Sequence, residues 1–273
     1  MIQSTDSAVC SGPYSDPSAI FASTEQHYLR LRPGYPAVLL DHLAAIATGP
    51  ILDLGSGPGV VALELAQRGC RVIAADPNLA MLNSGRRAAK HQGLDIEWRH
   101  ADSGQLHKLR DLVPLGGVVM ADAFHWMDRE SCLNAVNGLI RPNGWVAVMG
   151  SRAAGTSKPW WDVLLDRIRD HHLGARRAAG PGAVYQEQPR DHESVLRDSP
   201  FSRIVALRAD HRVCYTRDEL VALQYTHAFS SPEVLGARQD AFEHDVRRTL
   251  AATEPFGGFI TLTQAFLLVG HRE

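Results

Sequence analysis

The chain has 273 residues, 45% of them hydrophobic, and a formal net charge of -2 at pH 7, which is enough apolar material for one large domain or a core domain with a smaller insert. The near-neutral charge argues against a nucleic acid or an anionic membrane surface as partner. No basic, apolar leader opens the chain, and no apolar run approaches the roughly 18 residues of a membrane helix. The four cysteines, Cys10, Cys70, Cys132 and Cys214, stand apart with no CxxC pair, which suits a reducing cytoplasm. The 13 histidines show no ligand spacing such as HExxH, so no metal is expected.

Residues 1–22 are rich in Ser, Asp and Pro and read as a flexible arm. A short helix over 23–31, capped by Ser23 or Thr24, is broken by Arg32-Pro33-Gly34-Tyr35-Pro36. An amphipathic helix over 37–47 ends at Thr48-Gly49-Pro50. Ile51-Leu52-Asp53-Leu54 reads as a buried strand entering Gly55-Ser56-Gly57-Pro58-Gly59. The glycines allow a tight turn and close approach of a ligand. Pro58 presets the first turn of a helix over about 58–68, and free N–H groups are expected to point at the ligand.

Strand 2 spans 71–75 and ends in Asp76-Pro77; Asn78 caps a helix over 79–91. Strand 3 (96–99) ends near Ala101-Asp102, a weak helix covers 103–112, and strand 4 (118–121) precedes a helix over 128–139 capped by Asp128. Asn143-Gly144 turns into strand 5 (145–149). Five strands alternating with helices predict a parallel sheet covered on both faces, with the ligand at the strands' C-terminal ends. Beyond 150 the expectations are a helix over 159–173, an irregular 174–200, a half-exposed strand over 203–215, helices over 217–224 and 233–252, and a last strand over 259–269.

The glycine turn alone does not name its nucleotide, because NAD dehydrogenases share it. In the dinucleotide pattern GxGxxG the third glycine would fall where Val60 stands. Asp53, two residues before the first glycine, would repel a pyrophosphate and suits a cationic ligand bearing an ammonium group. Asp76, ending strand 2, is placed to accept ribose hydroxyls under either reading.

Asp53-Leu54-Gly55-Ser56-Gly57-Pro58-Gly59, with an acid ending strand 2, resembles motif I of the class I (Rossmann-like) S-adenosylmethionine-dependent methyltransferases. Ala121-Asp122-Ala123-Phe124-His125-Trp126 resembles the segment after strand 4 in their small-molecule subgroup, and Arg32–Pro36 their N-terminal lid. The likeness is good over 28–150 and loose over 151–273. It implies a doubly wound, mostly parallel α/β sheet of seven strands in the order 3-2-1-4-5-7-6, the last strand antiparallel, with helices on both faces and a small helical cap. Residues 23–150 would form the cofactor-binding core with lid helices, and 151–273 the end of the sheet plus a substrate cap in the same globular domain.

The resemblance also assigns roles. Asp53, Gly55, Ser56, Gly57 and Gly59 would hold the methionine part and approach the ribose. Asp76, beside Pro77, would bind the ribose hydroxyls. Asp102, with Ala101 or Ser103, would meet the adenine; Asp102 can equally be a helix cap. Ala121 and Phe124 would border the cofactor. His125 is a candidate general base, with pocket packing as its competing role. Tyr28, Tyr35, Trp126, Trp160 and Tyr225 are candidates for the substrate pocket, with Trp161, His171, His172, His227 and Phe229 behind them.

The Asn/Asp-Pro-Pro-Tyr of adenine- and glutamine-modifying members is absent, and the spacing of Asp122 and Asp128 does not compel a metal site. The expected activity is methyl transfer from S-adenosyl-L-methionine, leaving S-adenosyl-L-homocysteine, to O, N or C of a small metabolite, in a cytoplasmic monomer or homodimer of a secondary pathway. Alternatives are another use of the same sulfonium (cyclisation or aminocarboxypropyl transfer), a non-catalytic cofactor-binding subunit, and, against Val60 and Asp53, an NAD dehydrogenase.

Overall fold

The computed structural model describes residues 13–112, 114–153, 158–254 and 256–272. Seven strands, β1 (Ile51–Leu54), β2 (Val72–Asp76), β3 (Ile96–His100), β4 (Leu115–Ala121), β5 (Ile140–Ala153), β6 (Arg203–Thr216) and β7 (Gly258–His271), form one sheet in the order β3-β2-β1-β4-β5-β7-β6. β1 to β5 run parallel, and β7 pairs antiparallel with both β5 and β6. This is the predicted sheet. β1 and β2 are buried throughout because both faces are covered.

Among the described residues there are ten α-helices: α1 (Glu25–Leu31), α2 (Ala37–Ala45), α3 (Val60–Gln67), α4 (Leu79–Gln92), α5 (Arg129–Asn137), α6 (Trp160–Leu173), α7 (His192–Arg197), α8 (Arg217–Gln224), α9 (Pro232–Leu235) and α10 (Gln239–Thr253). The strand period of two sorts the sheet's side chains. Ile51 joins Leu40, Leu43, Val61 and Leu65 on one face, whereas Leu52 and Leu54 join Leu133, Val136 and Leu196 on the other.

Several local expectations change. Helix α3 starts at Val60, not Pro58, because Gly59 takes a φ of 85° as its N-cap. Thr24 precedes α1 but makes no capping bond. The stretch 174–200 contains α7, capped by Asp191, and the 233–252 segment is divided into α9 and α10 by Gly236.

The arm predicted over 1–22 is corrected for its described part. Tyr14 and Ile20 are buried with Ala179 and Ala228, and Phe21 and Trp126 pack against them; residues 1–12, including Cys10, lie outside the described residues. Cys70, Cys132 and Cys214 are free thiols. No helix among the described residues is long and apolar enough to cross a membrane.

The C-terminal helices build a separate apolar cluster in which Trp161, Leu165, Leu220, Phe242, Val246 and Leu250 enclose Leu31 of α1 and Phe259 of β7. The end of α1 is also held by polar bonds to β6 and to the chain just after α8. Tyr215 donates its hydroxyl to the Leu31 carbonyl at 3.3 Å, and Arg32 donates to the Thr226 carbonyl at 2.8 Å. These helices therefore brace the N-terminal segment from behind.

Candidate active site

The glycine turn carries three positive φ angles, 73° at Gly55, 55° at Gly57 and 85° at Gly59. A Cβ on Gly55 would lie 2.7 Å from the Ala123 Cβ, and one on Gly59 2.7 Å from the Trp98 ring. Around Gly57 there is open space, so only its backbone angle demands glycine there.

The expectation of free N–H groups in this turn fails. Gly55 and Ser56 donate to the Ala75 carbonyl at 2.8 and 3.1 Å, and Gly59 to the Ser56 carbonyl at 2.9 Å. Gly57 donates to Asp76 Oδ2 at 2.8 Å. The first turn of α3 is met from within as well, since Ala62 donates to Asp53 Oδ2 at 3.0 Å. An acid thus sits at the helix N-terminus where a dinucleotide binder seats its pyrophosphate.

Asp53 is 1% exposed, and its Oδ1 is buried with no hydrogen-bond partner. Burial raises its pKa to about 7, against the pull of the Ala62 N–H and with a further push from Asp76. Asp76 accepts from the Gly57 and Asn78 N–H groups, both at 2.8 Å; burial still lifts it to about 6. A carboxylate oxygen buried without a donor is complementary to a cation.

Both acids face a cleft of about 1210 Å³, open solvent included, at the C-terminal ends of β1, β2 and β4. Its walls carry Asp53, Asp76, Asp102 and Asp122 against a single guanidinium, Arg32; no histidine, lysine or glutamate is among the described lining residues. Pro17, Ile20, Phe21, Tyr28, Arg32, Pro33 and Tyr35 of the N-terminal segment form much of its wall. Asn78 caps α4 through its Oδ1 and donates from Nδ2 to the Ser18 carbonyl at 3.0 Å, tying that segment to the site.

Asp122 follows β4 with a φ of 48°. Its N–H donates to the Met149 carbonyl at 2.9 Å, and its Oδ2 accepts from the Tyr35 hydroxyl at 2.8 Å. The side chain is open to the cleft but walled by protein elsewhere. That desolvation raises its pKa, while the Tyr35 bond, the Arg32 charge and the Ser151 N–H oppose the rise.

Of the predicted cofactor residues, Asp53, Gly55, Ser56, Gly57, Asp76, Pro77, Asp102, Ser103 and Ala121 line the cleft. Gly59, Ala101 and Phe124 do not: Gly59 packs on Trp98, and Ala101 and Phe124 belong to the core. Asp102 accepts from the Gly104 N–H at 2.8 Å, so it fills the turn role while also facing the cleft. Tyr28, Tyr35 and Trp126 line it; Trp160 and Tyr225 do not. Trp160 is 51% exposed. Tyr225 is buried and donates to Glu243 at 2.5 Å.

His125 also leaves the site. The turn Phe124–Trp126 is a single 3-10 turn that sends its three side chains different ways. Phe124 enters the core, Trp126 meets the cleft, and His125 lies among Trp126, Tyr185 and His192, at ring-centroid distances of 4.9, 6.5 and 6.3 Å. Burial first, then the charges of His192 and Arg129, lower its pKa to about 4.

Trp161 is buried against Phe259, and His227 stacks on Phe229 at 4.9 Å. His171, His172 and Asp245 bring donor atoms within 4.8 Å of one another outside the cleft. There Asp245 already pairs with His172 and Arg248, each at 2.9 Å. Asp128 caps α5 through Ser131.

Residues missed from the sequence include Ile20, Phe21, Arg32, Asn78, Met81 and Asp122. The available signals were the apolar pair Ile20-Phe21 inside a polar stretch and the position of Asp122 directly after β4.

A family profile described as a methyltransferase domain matches residues 51–144. An uncharacterized methyltransferase of Mycobacterium tuberculosis is 34% identical over 241 residues, covering 88% of each chain. CRG1 of Saccharomyces cerevisiae, named a probable S-adenosylmethionine-dependent methyltransferase, is 28% identical over 126 residues, 44% of this chain and 43% of that one. A structure from Anaeromyxobacter dehalogenans described as a type II methyltransferase superposes with a TM-score of 0.56 at 18% identity, over 88% of this chain and 97% of that one, and shares the fold.

Proposed function

The chain belongs to the class I S-adenosylmethionine-dependent methyltransferases, and on that premise we propose that it methylates a small molecule at a nucleophilic atom. S-adenosylmethionine, when bound, supplies a methyl group made electrophilic by its positive sulfur.

The observation that carries the reading is the partnerless Oδ1 of Asp53, a residue that lines the cleft. It is a buried carboxyl oxygen without a donor, and the ammonium of a methionine moiety would supply one and favour the ionised form. Asp76 keeps lone pairs beyond its two backbone bonds and would take the ribose hydroxyls. Asp102 and Ser103, at the end of β3, would meet the adenine. The missing side chain of Gly57 would leave room beside the ribose.

The excess of carboxylates favours a cationic ligand and disfavours polyanions, so a free small molecule is a better acceptor than a nucleic-acid backbone. Tyr28 and Tyr35, braced by the C-terminal helices through α1 and Arg32, would close the site to water, which helps hold a nucleophile within about 3 Å of the methyl carbon.

The test is product analysis. The chain is incubated with S-adenosylmethionine and pooled small-molecule acceptors, and the nucleoside products are separated by mass spectrometry. S-adenosylhomocysteine supports methyl transfer; methylthioadenosine in its place shows another use of the sulfonium.

A further inference from the structure

The four carboxylates of the cleft divide into two groups by the elements that carry them. Asp53, Asp76 and Asp102 end β1, β2 and β3, and each accepts a backbone N–H from its own neighbourhood. Asp122 lies across the β1/β4 boundary, and its partners are of another kind. They are the Tyr35 hydroxyl and the Arg32 charge, both from the segment between α1 and α2, together with the Ser151 N–H from β5.

Its backbone angle sets it apart as well. A φ of 48° is uncommon outside glycine, although Asp and Asn tolerate it. Such conformations persist where the surroundings hold them, often at working sites. Here the hold comes from the Met149 carbonyl and the Tyr35 hydroxyl. With no histidine among the described lining residues, a proton leaving an acceptor has only carboxylates to receive it. Three of those lie on the side read above as the cofactor's.

We propose that Asp122 is the catalytic base of the methyl transfer, that Tyr35 positions it, and that the acceptor is a neutral, ring-bearing molecule with a hydroxyl group. The inference rests on the cofactor reading above. Neutrality follows from two charges: four carboxylates against one guanidinium repel an anionic acceptor, and the positive sulfonium of the bound cofactor repels a cationic one. The ring follows from Phe21, Tyr28, Tyr35 and Trp126, which present aromatic surface to the cleft.

In the step itself, the hydroxyl proton passes to an Asp122 carboxylate oxygen. The hydroxyl oxygen's electron pair forms the new O–CH3 bond. The CH3–S bond breaks with its pair left on sulfur, turning the sulfonium into a neutral thioether. Asp122 then returns the proton to solvent through the cleft.

The groups facing Asp122 are Tyr28 of α1, Arg32 and Tyr35 beyond it, and the Ser151 N–H; the charge of Asp53 also reaches Tyr35. The protein walls around the cleft hold Asp122 above the ordinary carboxylate range although its side chain is open to the cleft, and the base works only when ionised. The acidic limb of kcat/KM therefore lies higher than a free carboxylate would place it. Tyr35→Phe removes a donor that favours the ionised form and moves that limb to higher pH.

The test compares wild type, Asp122→Asn and Tyr35→Phe. Asparagine keeps the size of the side chain and tolerates the positive φ. Affinity for S-adenosylhomocysteine is read by calorimetry, and binding and methylation of a series of simple substituted phenols by calorimetry and radiolabel transfer. The expected result is cofactor affinity within about tenfold of wild type, with Asp122→Asn transfer to phenols down about 100-fold or more.

A loss of transfer under about tenfold, or a loss of cofactor affinity above tenfold, overturns the base assignment, the latter by placing Asp122 on the cofactor. A rate limb unmoved in Tyr35→Phe overturns the positioning role. A wild type that binds S-adenosylhomocysteine but neither binds nor methylates any phenol overturns the acceptor class while leaving the cofactor reading intact. A wild type that does not bind S-adenosylhomocysteine removes that earlier reading instead.

Discussion

The backbone N–H of Ala62 donates to Asp53 Oδ2 at 3.0 Å. One acid thereby joins the end of β1 to the first turn of α3 and leaves its second oxygen buried without a donor. The protein's own carboxylate occupies this helix N-terminus through the Ala62 N–H, so the negative group belongs to the chain and the positive one is left to the ligand.

That arrangement has a cost that depends on pH. The pKa of Asp53 is raised from 3.8 to about 7 in the fold, so the folded chain holds a proton that the unfolded chain gives up. Its contribution to stability is present below the unfolded pKa and is lost as pH rises through about 7. Asp53→Asn, which never charges, is expected to be more stable than the ligand-free wild type at pH 8, with the advantage shrinking toward pH 5. Melting temperatures across that range check this; a constant difference between the two proteins contradicts it.

Cofactor binding should also move protons. A cation beside Asp53 favours its ionised form, so at pH 6.5 binding of S-adenosylmethionine is expected to release protons. Titrations in buffers of differing ionisation enthalpy measure this. The release should vanish in Asp53→Asn and fade by pH 8.5.

The glycines separate backbone conformation from space. Gly57→Ala meets only the positive φ and should cost about 1–2 kcal/mol. Gly55→Ala meets the same penalty and the Ala123 Cβ at 2.7 Å as well, for about 2–5 kcal/mol in total. Urea denaturation orders the two, and equal losses would show that the Ala123 contact relaxes freely.

His125 is expected to be dispensable for chemistry. Its ring lies outside the cleft, and its pKa of about 4 makes it a poor proton acceptor near neutrality. His125→Gln should keep methyl transfer within about threefold of wild type, since no transition-state contact is removed. A loss of 100-fold with cofactor binding unchanged would restore it as the base.

How much of this was legible in the sequence follows from which signals are local. Short, mainly apolar runs such as Ile51–Leu54 and Val72–Ala75, bounded by turn residues, read as strands buried on both faces, and their alternation with helices leads to the parallel part of the sheet. Asp53 and Asp76 were legible because a strand end fixes where its last side chain points. Phe124 and His125 were not, because a 3-10 turn gives neighbouring residues divergent directions that spacing does not reveal; of that turn, Trp126 meets the cleft as expected.

Trp160 and Tyr225 failed for another reason. Trp160 opens α6 and Tyr225 follows α8, helices whose apolar faces pack with α10 and brace α1, and sequence distance says nothing about which side of a brace the ligand occupies. Ile20 and Phe21 were hidden by the polar composition around them, although two adjacent large apolar residues in such a stretch need a place to be buried.

The most direct measurement is calorimetric titration of wild type and Asp53→Asn with S-adenosylmethionine, with NADH as the competing nucleotide. Saturable binding of S-adenosylmethionine by wild type is expected, with affinity lowered roughly 10- to 150-fold in Asp53→Asn, the worth of a hydrogen bond to a charged group, and no binding of NADH. Tight NADH binding, or an Asp53→Asn protein that binds S-adenosylmethionine as well as wild type, would contradict the account.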